Sequence, residues 1–306
     1  MKCYTFFAMA LFFAMTSCTV DKTDYEEEIN TIVPEYYDFK EVVSITSGIY
    51  KINIQALNGT LYKGFNEIKI QIFNTAKNEV LSNAAVAFLA VLEKTNGEKV
   101  SCPHSYHWVY DAADKQYSGY TVFPNESTDG SWTLSIHFTD NGQTVSVSQA
   151  VTVYKQINKN LNMTAFTGND GRQYIIALKA PQKPNVSENQ LIAGIYQSDS
   201  SNNHDGIFPD SSLGSYSEVQ NHTLLLDPRM PEPSMGNHTS PNNQDLKQAA
   251  DGFYYGVVNY TMTGNWTLNF ILRDQNGKII KGSPVSTDFT PGVDGAKSEL
   301  YIDILF

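Results

Sequence analysis

Gly130-Ser131-Trp132-Thr133-Leu134-Ser135-Ile136-His137-Phe138 alternates large apolar with polar residues behind a turn glycine. A segment of period two buries one face and wets the other, which is the pattern of an antiparallel strand rather than of a helix. Upstream, Ile49-Tyr50-Lys51-Ile52-Asn53-Ile54 and Asn66-Glu67-Ile68-Lys69-Ile70-Gln71-Ile72 carry the same alternation. From Ile45 onward, short runs rich in Ile, Val, Tyr, Phe and Thr are broken by Asn-Gly, Asp-Gly, Gly-Asn and proline, the punctuation of strands joined by turns, and helical periodicity is nearly absent. The fold class that follows is all-β, with antiparallel sheets packed as immunoglobulin-like β-sandwiches.

The second half restates the first. Tyr117-Ser118-Gly119-Tyr120-Thr121-Val122-Phe123, then Gly130-Ser131-Trp132-Thr133-Leu134, answers to Tyr254-Tyr255-Gly256-Val257-Val258-Asn259-Tyr260, then Gly264-Asn265-Trp266-Thr267-Leu268. As an opening strand, Gly64-Phe65-Asn66-Glu67-Ile68 is expected to correspond to Val186-Ser187-Glu188-Asn189-Gln190. Two tandem sandwiches are therefore expected over residues 40–157 and 165–306. Polar residues 155–167 read as the join, and residues 198–217 as a long loop inserted in the second copy. Trp132 and Trp266 each begin an alternating strand and should point into the core as packing anchors. The alternative is an exposed ring on which a sugar stacks.

The first residues read as a secretory signal: Met1-Lys2-Cys3-Tyr4 is followed by an uncharged, apolar stretch to Met15 that is too short to span a bilayer comfortably. Met15-Thr16-Ser17-Cys18 resembles the lipobox of bacterial lipoproteins, with Met15 where Leu is usual, which implies that residues 1–18 are signal and anchor and that Cys18 is lipidated. Residues 19–39 carry Asp21, Asp24, Glu26, Glu27, Glu28 and Glu35 and form an acidic tether. The expected location is the bacterial cell envelope, membrane-anchored through lipid, on the periplasmic side or the outer surface. With Cys18 acylated, Cys102 is the one thiol left, so the fold stands on its core without an intramolecular disulfide. The formal charge of −11 comes with no basic stripe, which sets nucleic-acid partners aside.

Met230-Pro231-Glu232-Pro233-Ser234-Met235-Gly236-Asn237-His238-Thr239-Ser240-Pro241 gathers two thioethers and an imidazole on a proline-stiffened loop. Thioether and imidazole suit a soft, reducible ion such as Cu(I), whereas hard cations prefer oxygen. The same residues also read as a turn whose methionines pack on the domain. In the first copy, Ser101-Cys102-Pro103-His104-Ser105-Tyr106-His107 offers a thiolate and two imidazoles, donors for Cu(I) or Zn(II), at what is expected to be the equivalent loop. An inert buried cysteine beside two histidines is the plainer reading.

The order Met-Pro-x-x-x-Met-Gly-x-His, Gly-x-Tyr-x-Gly, an aromatic two residues before a methionine, then Gly-x-Trp-x-Leu resembles the YtkA-like or FixH-like family of extracytoplasmic β-sandwich domains. The matching residues are Met230, Pro231, Met235, Gly236, His238, Gly252, Tyr254, Gly256, Tyr260, Met262, Gly264, Trp266 and Leu268. Pro233 and Asn237 lengthen the loop relative to the tight Met-Gly-His arrangement usual in that family. The resemblance implies a Cu(I) site at Met230, Met235, His238 and Met262, and a role in copper capture or delivery, for which a copper transporter or oxidase component would be the partner. No Gly-x-Ser-x-Gly elbow, His-Glu-x-x-His or phosphate-binding glycine loop accompanies it, so an enzyme is not expected. The contrasting expectation is a surface lipoprotein that binds glycan or protein without metal, consistent with 18 tyrosines.

Overall fold

Strand pairing divides along the chain into two sets of sheets. A computed structural model describes residues 38–106, 108–199 and 215–306; the expected signal, Cys18, almost all of the tether and His107 lie outside them. The first set contains β1 (Phe39–Ser47), β2 (Tyr50–Leu57), β3 (Leu61–Tyr62), β4 (Gly64–Asn74), β5 (Glu79–Val80) and β6 (Ala85–Lys94). It continues with β7 (Lys99–Ser101), β8 (Val109–Asp111), β9 (Gln116–Phe123), β10 (Gly130–Asp140), β11 (Gln143–Val151) and β12 (Val153–Tyr154). One sheet runs β1-β2-β4-β9-β8 with β5 on β4, the facing sheet runs β11-β10-β6-β7, and β12 pairs with β3.

The alternation of β10 explains why the two sheets pack. Trp132, Leu134, Ile136 and Phe138 are buried, and across the ladder they oppose Leu92, Ala90, Phe88 and Val86 of β6. From the other sheet, Ile52 and Ile54 of β2 lie opposite Ile72 and Ile70 of β4 and complete the same core. Each such aliphatic side chain contributes about 1.5–3 kcal/mol by leaving water. Tyr50 crosses the layers, meeting Phe138 edge-on at 5.1 Å while its hydroxyl donates to Asp140 at 2.7 Å.

The second set contains β13 (Met163–Thr167), β14 (Gln173–Ala180), β15 (Glu188–Asp199), β16 (Ser215–Glu218), β17 (Thr223–Met230) and β18 (His238–Thr239). It ends with β19 (Gln244–Gln248), β20 (Tyr254–Asn259), β21 (Asn265–Arg273), β22 (Ile279–Lys281) and β23 (Tyr301–Leu305). Their hydrogen bonds form one path, β13-β14-β15-β20-β19-β17-β21-β22, with β16, β18 and β23 as branches. β19 joins the layers, since Leu246 faces Leu224 of β17 while Lys247 and Gln248 face Tyr255 and Tyr254 of β20. The core between the layers includes Ile176, Leu191, Tyr254, Trp266, Phe270 and Ile304. The chain is thus all-β and antiparallel in its main sheets, in a sandwich arrangement of immunoglobulin type. Among the described residues there is no α-helix, only a 3-10 turn at Lys159–Leu161 whose start is capped by Asn158.

Two expectations are corrected here. Residues 155–167 are not merely a polar join, because Met163–Thr167 forms an edge strand on β14; partner hydrogen bonds, not alternation, make it a strand. The stretch 198–217 is likewise strand at both ends, where Ser198 and Asp199 pair with Tyr216 and Ser215.

The ladders also set the register between the halves. Asn66 and Ile68 oppose Thr121 and Gly119, as Asn189 and Leu191 oppose Val258 and Gly256. Asn66 therefore corresponds to Asn189, one residue on from the register expected, and in a strand a slip of one exchanges the faces.

Candidate functional site

Strand equivalence decides what the methionine loop is. Leu92 of β6 lies opposite Trp132 and pairs with Val100 of β7. In the second half, Arg229 opposes Thr267 and Met230 pairs with His238, so Met230 takes the place of Leu92 and His238 that of Val100. Met230 is 1% exposed and belongs to the core. The loop that follows corresponds to the turn after β6, around Gly97, and not to the Cys102 segment. Counting on from those pairs, Ser101-Cys102-Pro103 lines up with Thr239-Ser240-Pro241. The expectation that both copies carry a soft-donor loop at one position is therefore overturned.

The loop between β17 and β18 is tied down at several points. Met235 N–H donates to Glu232 O at 2.8 Å and His238 N–H to Met235 O at 3.2 Å, with Gly236 and Asn237 both at positive φ, 63° and 54°. Gly295 N–H donates to Pro231 O at 2.7 Å, and Asn237 Nδ2 to Ser286 O at 3.0 Å. His238 remains exposed, its Nε2 3.0 Å from Thr261 Oγ1 and its ring 6.3 Å from that of Trp266. Next to Thr261, Met262 is 38% exposed, as is Met235, and the Met262 carbonyl accepts from Trp266 Nε1 at 3.1 Å. The structure thus brings the loop and the turn before Gly264 together at His238. Met235, His238 and Met262 are each exposed, while Met230 turns inward. Neutral sulfur and imidazole are donors that fit Cu(I).

The first-copy donors are placed differently. Cys102 is fully buried in the core of its sandwich, its Sγ 3.3 Å from Thr121 Oγ1, and burial pushes its thiol up to about 12. A protonated thiol is a poor metal ligand. His104 is buried, with Nδ1 2.6 Å from Cys102 O and its ring against Tyr106 at 4.6 Å; His107 lies outside the described residues. Among the described residues, no three His, Cys, Asp or Glu side chains are grouped to hold a metal ion.

A second feature was not read from the sequence. Phe65 and Val122 of the first half pack against Ile175, Ala177 and Tyr196 of the second. The Lys179 ammonium lies 2.9 Å from Glu67 Oε1 and over the rings of Phe253 and Phe65, at 4.6 and 5.3 Å. Beside this contact opens a cleft of ≈ 430 Å³ lined by His104, Tyr106, Tyr120, Tyr196, Tyr216 and Glu218. Tyr120 donates to Glu218 Oε1 at 2.7 Å; Tyr106 OH donates to Tyr216 O at 3.0 Å and accepts from Tyr216 N–H at 3.2 Å. Burial raises the Tyr106 phenol to about 12 and those of Tyr120 and Tyr196 further, so all three stay neutral near pH 7. The available signal was aromatic residues, Phe65 and Tyr120, on strand faces where a solvated sheet would carry polar ones.

These features define an all-β sandwich protein with an exposed Met/His surface in its second half and an aromatic junction. No protein-family model matches the chain, and no curated protein matches it. Among solved structures, a DUF4785 family protein from Legionella pneumophila is similar over 76% of this chain and 54% of its own, at 9% identity and a TM-score of 0.24. The chain spans about half the length of that protein. A chimeric titin Z1Z2-Z1Z2 tandem is similar over 78% of this chain and 94% of its own, at 11% identity and a TM-score of 0.19.

Proposed function

We propose that the protein is an extracytoplasmic lipoprotein, anchored through Cys18, whose second sandwich holds Cu(I) for capture or delivery. The observation that supports this reading is the meeting of His238 with Thr261, which puts the imidazole beside the turn carrying Met262 and three residues from Met235. These three side chains would hold the ion. Thioethers do not titrate, so protons do not compete with the metal at sulfur. Met230 supports the site as packing, through Trp266 and Gly264, and not as a ligand. The resemblance to YtkA-like and FixH-like domains points the same way. The second reading, recognition of a glycan or protein without metal, draws on the tyrosine-rich junction, because both Trp132 and Trp266 are fully buried and cannot serve as stacking platforms.

The test is a competition titration of the whole protein against a Cu(I) chelator. Met235→Leu/Met262→Leu, which keeps bulk and removes sulfur, should weaken retention by about a hundredfold, about 2.7 kcal/mol. Met230→Leu should leave it unchanged. Equal competition by the double variant and the parent overturns the site.

A further inference from the structure

The cleft at the junction has the chemistry of a cation site. Among the described residues its lining includes four tyrosines and one carboxylate, Glu218, and no lysine or arginine. Aromatic faces attract a positive charge through the ring quadrupole, and most strongly where water is partly excluded. The Tyr120 and Tyr196 ring centroids lie 5.8 Å apart, and Glu218 accepts from the Tyr120 hydroxyl at 2.7 Å, which puts the carboxylate at the rim of that ring.

The chain itself contains a worked example next door. Lys179 places an ammonium over two rings with Glu67 alongside, and the array is continuous with the cleft, since Tyr120 stacks on Phe65 at 5.3 Å and meets Phe253 at 5.7 Å. The volume, ≈ 430 Å³, falls in the range of small-ligand pockets, roughly 300–1,000 Å³. The chain's net charge of −11 also favours approach by cations over anions.

We propose that this cleft binds a small organic cation, an alkylammonium or quaternary ammonium group, with its positive centre held between the tyrosine rings and Glu218. Neutral ligands of the same shape gain the apolar contact but neither the quadrupole nor the carboxylate attraction. The site is independent of the Met/His surface.

The experiment is a calorimetric titration of the whole protein with choline and, in parallel, with 3,3-dimethylbutan-1-ol, its uncharged carbon isostere. Choline should bind at least about tenfold more tightly than the alcohol. Glu218→Gln should lower choline affinity about five- to tenfold. Glu218→Gln should keep the parent's urea-unfolding midpoint and slope, which shows that its loss of choline affinity is not collapse of the junction. Absence of choline binding, equal binding of the two isosteres, or binding of a neutral disaccharide in place of choline overturns the proposal.

Discussion

Asn66 and Asn189 do the same work in the two halves of the chain. Each closes the turn that enters its strand: Asn66 accepts from Tyr62 N–H at 2.9 Å and donates to Tyr62 O and Gly64 O, at 2.6 and 2.9 Å. Asn189 accepts from Asn185 N–H and donates to Asn185 O and Ser187 O, each at 2.8 Å. Both side chains are 7% exposed, so truncation strands backbone groups away from water. Asn66→Ala and Asn189→Ala are each expected to destabilise by about 2–3 kcal/mol, the cost of buried polar groups left unpaired. Urea unfolding checks this; a cost in one half and none in the other would show that the brace is not shared.

Lys179 connects the halves by charge and by ring contact at once. Its side chain is 29% exposed, so the ion pair with Glu67 is screened and contributes under about 1 kcal/mol, with the two rings adding about as much again. Lys179→Ala should therefore cost about 1–2 kcal/mol, and Glu67→Gln less. If Glu67→Gln proves the costlier in urea melts at moderate salt, the rings are not the larger contributors.

Cys102 makes alkaline stability measurable. Burial raises its thiol from 9.0 to about 12 in the folded chain. Between those values the unfolded chain has lost the proton and the folded chain keeps it, so stability falls as pH rises from about 9 to about 12. Below pH 9 both states are protonated and the contribution is constant. Ser240 occupies the matching position in the second half, so Cys102→Ser should fold and show a shallower loss across this window. A thiol reagent at pH 8 should modify the parent only as it unfolds; prompt reaction of the native protein would contradict the burial.

Strand existence was legible because Trp132 through Phe138 and Ile49 through Ile54 each bury one face. Their burial alternates as the residues do. The edge strand at Met163–Thr167 was not, since a run of five residues, Met-Thr-Ala-Phe-Thr, is too short and mixed to show a period and is held by a partner's hydrogen bonds. The methionine loop was legible as a set of donor types. The inward turn of Met230 was not, because it depends on pairing with β21, far along the chain. Cys102 and the methionines seemed equivalent by order along the chain, and only the ladders show that Cys102 matches Ser240 instead. The junction was hidden for a similar reason: Phe65 and Tyr120 look like surface residues until a second sheet covers them.

The two glycines before the tryptophans should differ in what they tolerate. A Cβ on Gly130 would run into the main chain at Glu93 O and Lys94 Cα, whereas a Cβ on Gly264 would meet only the terminal methyl of Met230, at 2.7 Å. Backbone cannot yield without breaking the β6–β10 ladder, while a methionine end can change rotamer. Both residues have positive φ, 159° and 132°, so alanine is strained at each to some extent. Gly130→Ala is therefore expected to cost about 3 kcal/mol or more, and Gly264→Ala about 1–2 kcal/mol. The second cost should shrink when Met230 is shortened, since the added methyl then enters space the thioether left. A double-mutant cycle on Gly264→Ala and Met230→Ala should give a favourable coupling of about 1 kcal/mol. Strict additivity in urea melts would mean that Met230 does not pack under Gly264, and would return its thioether to the list of possible ligands.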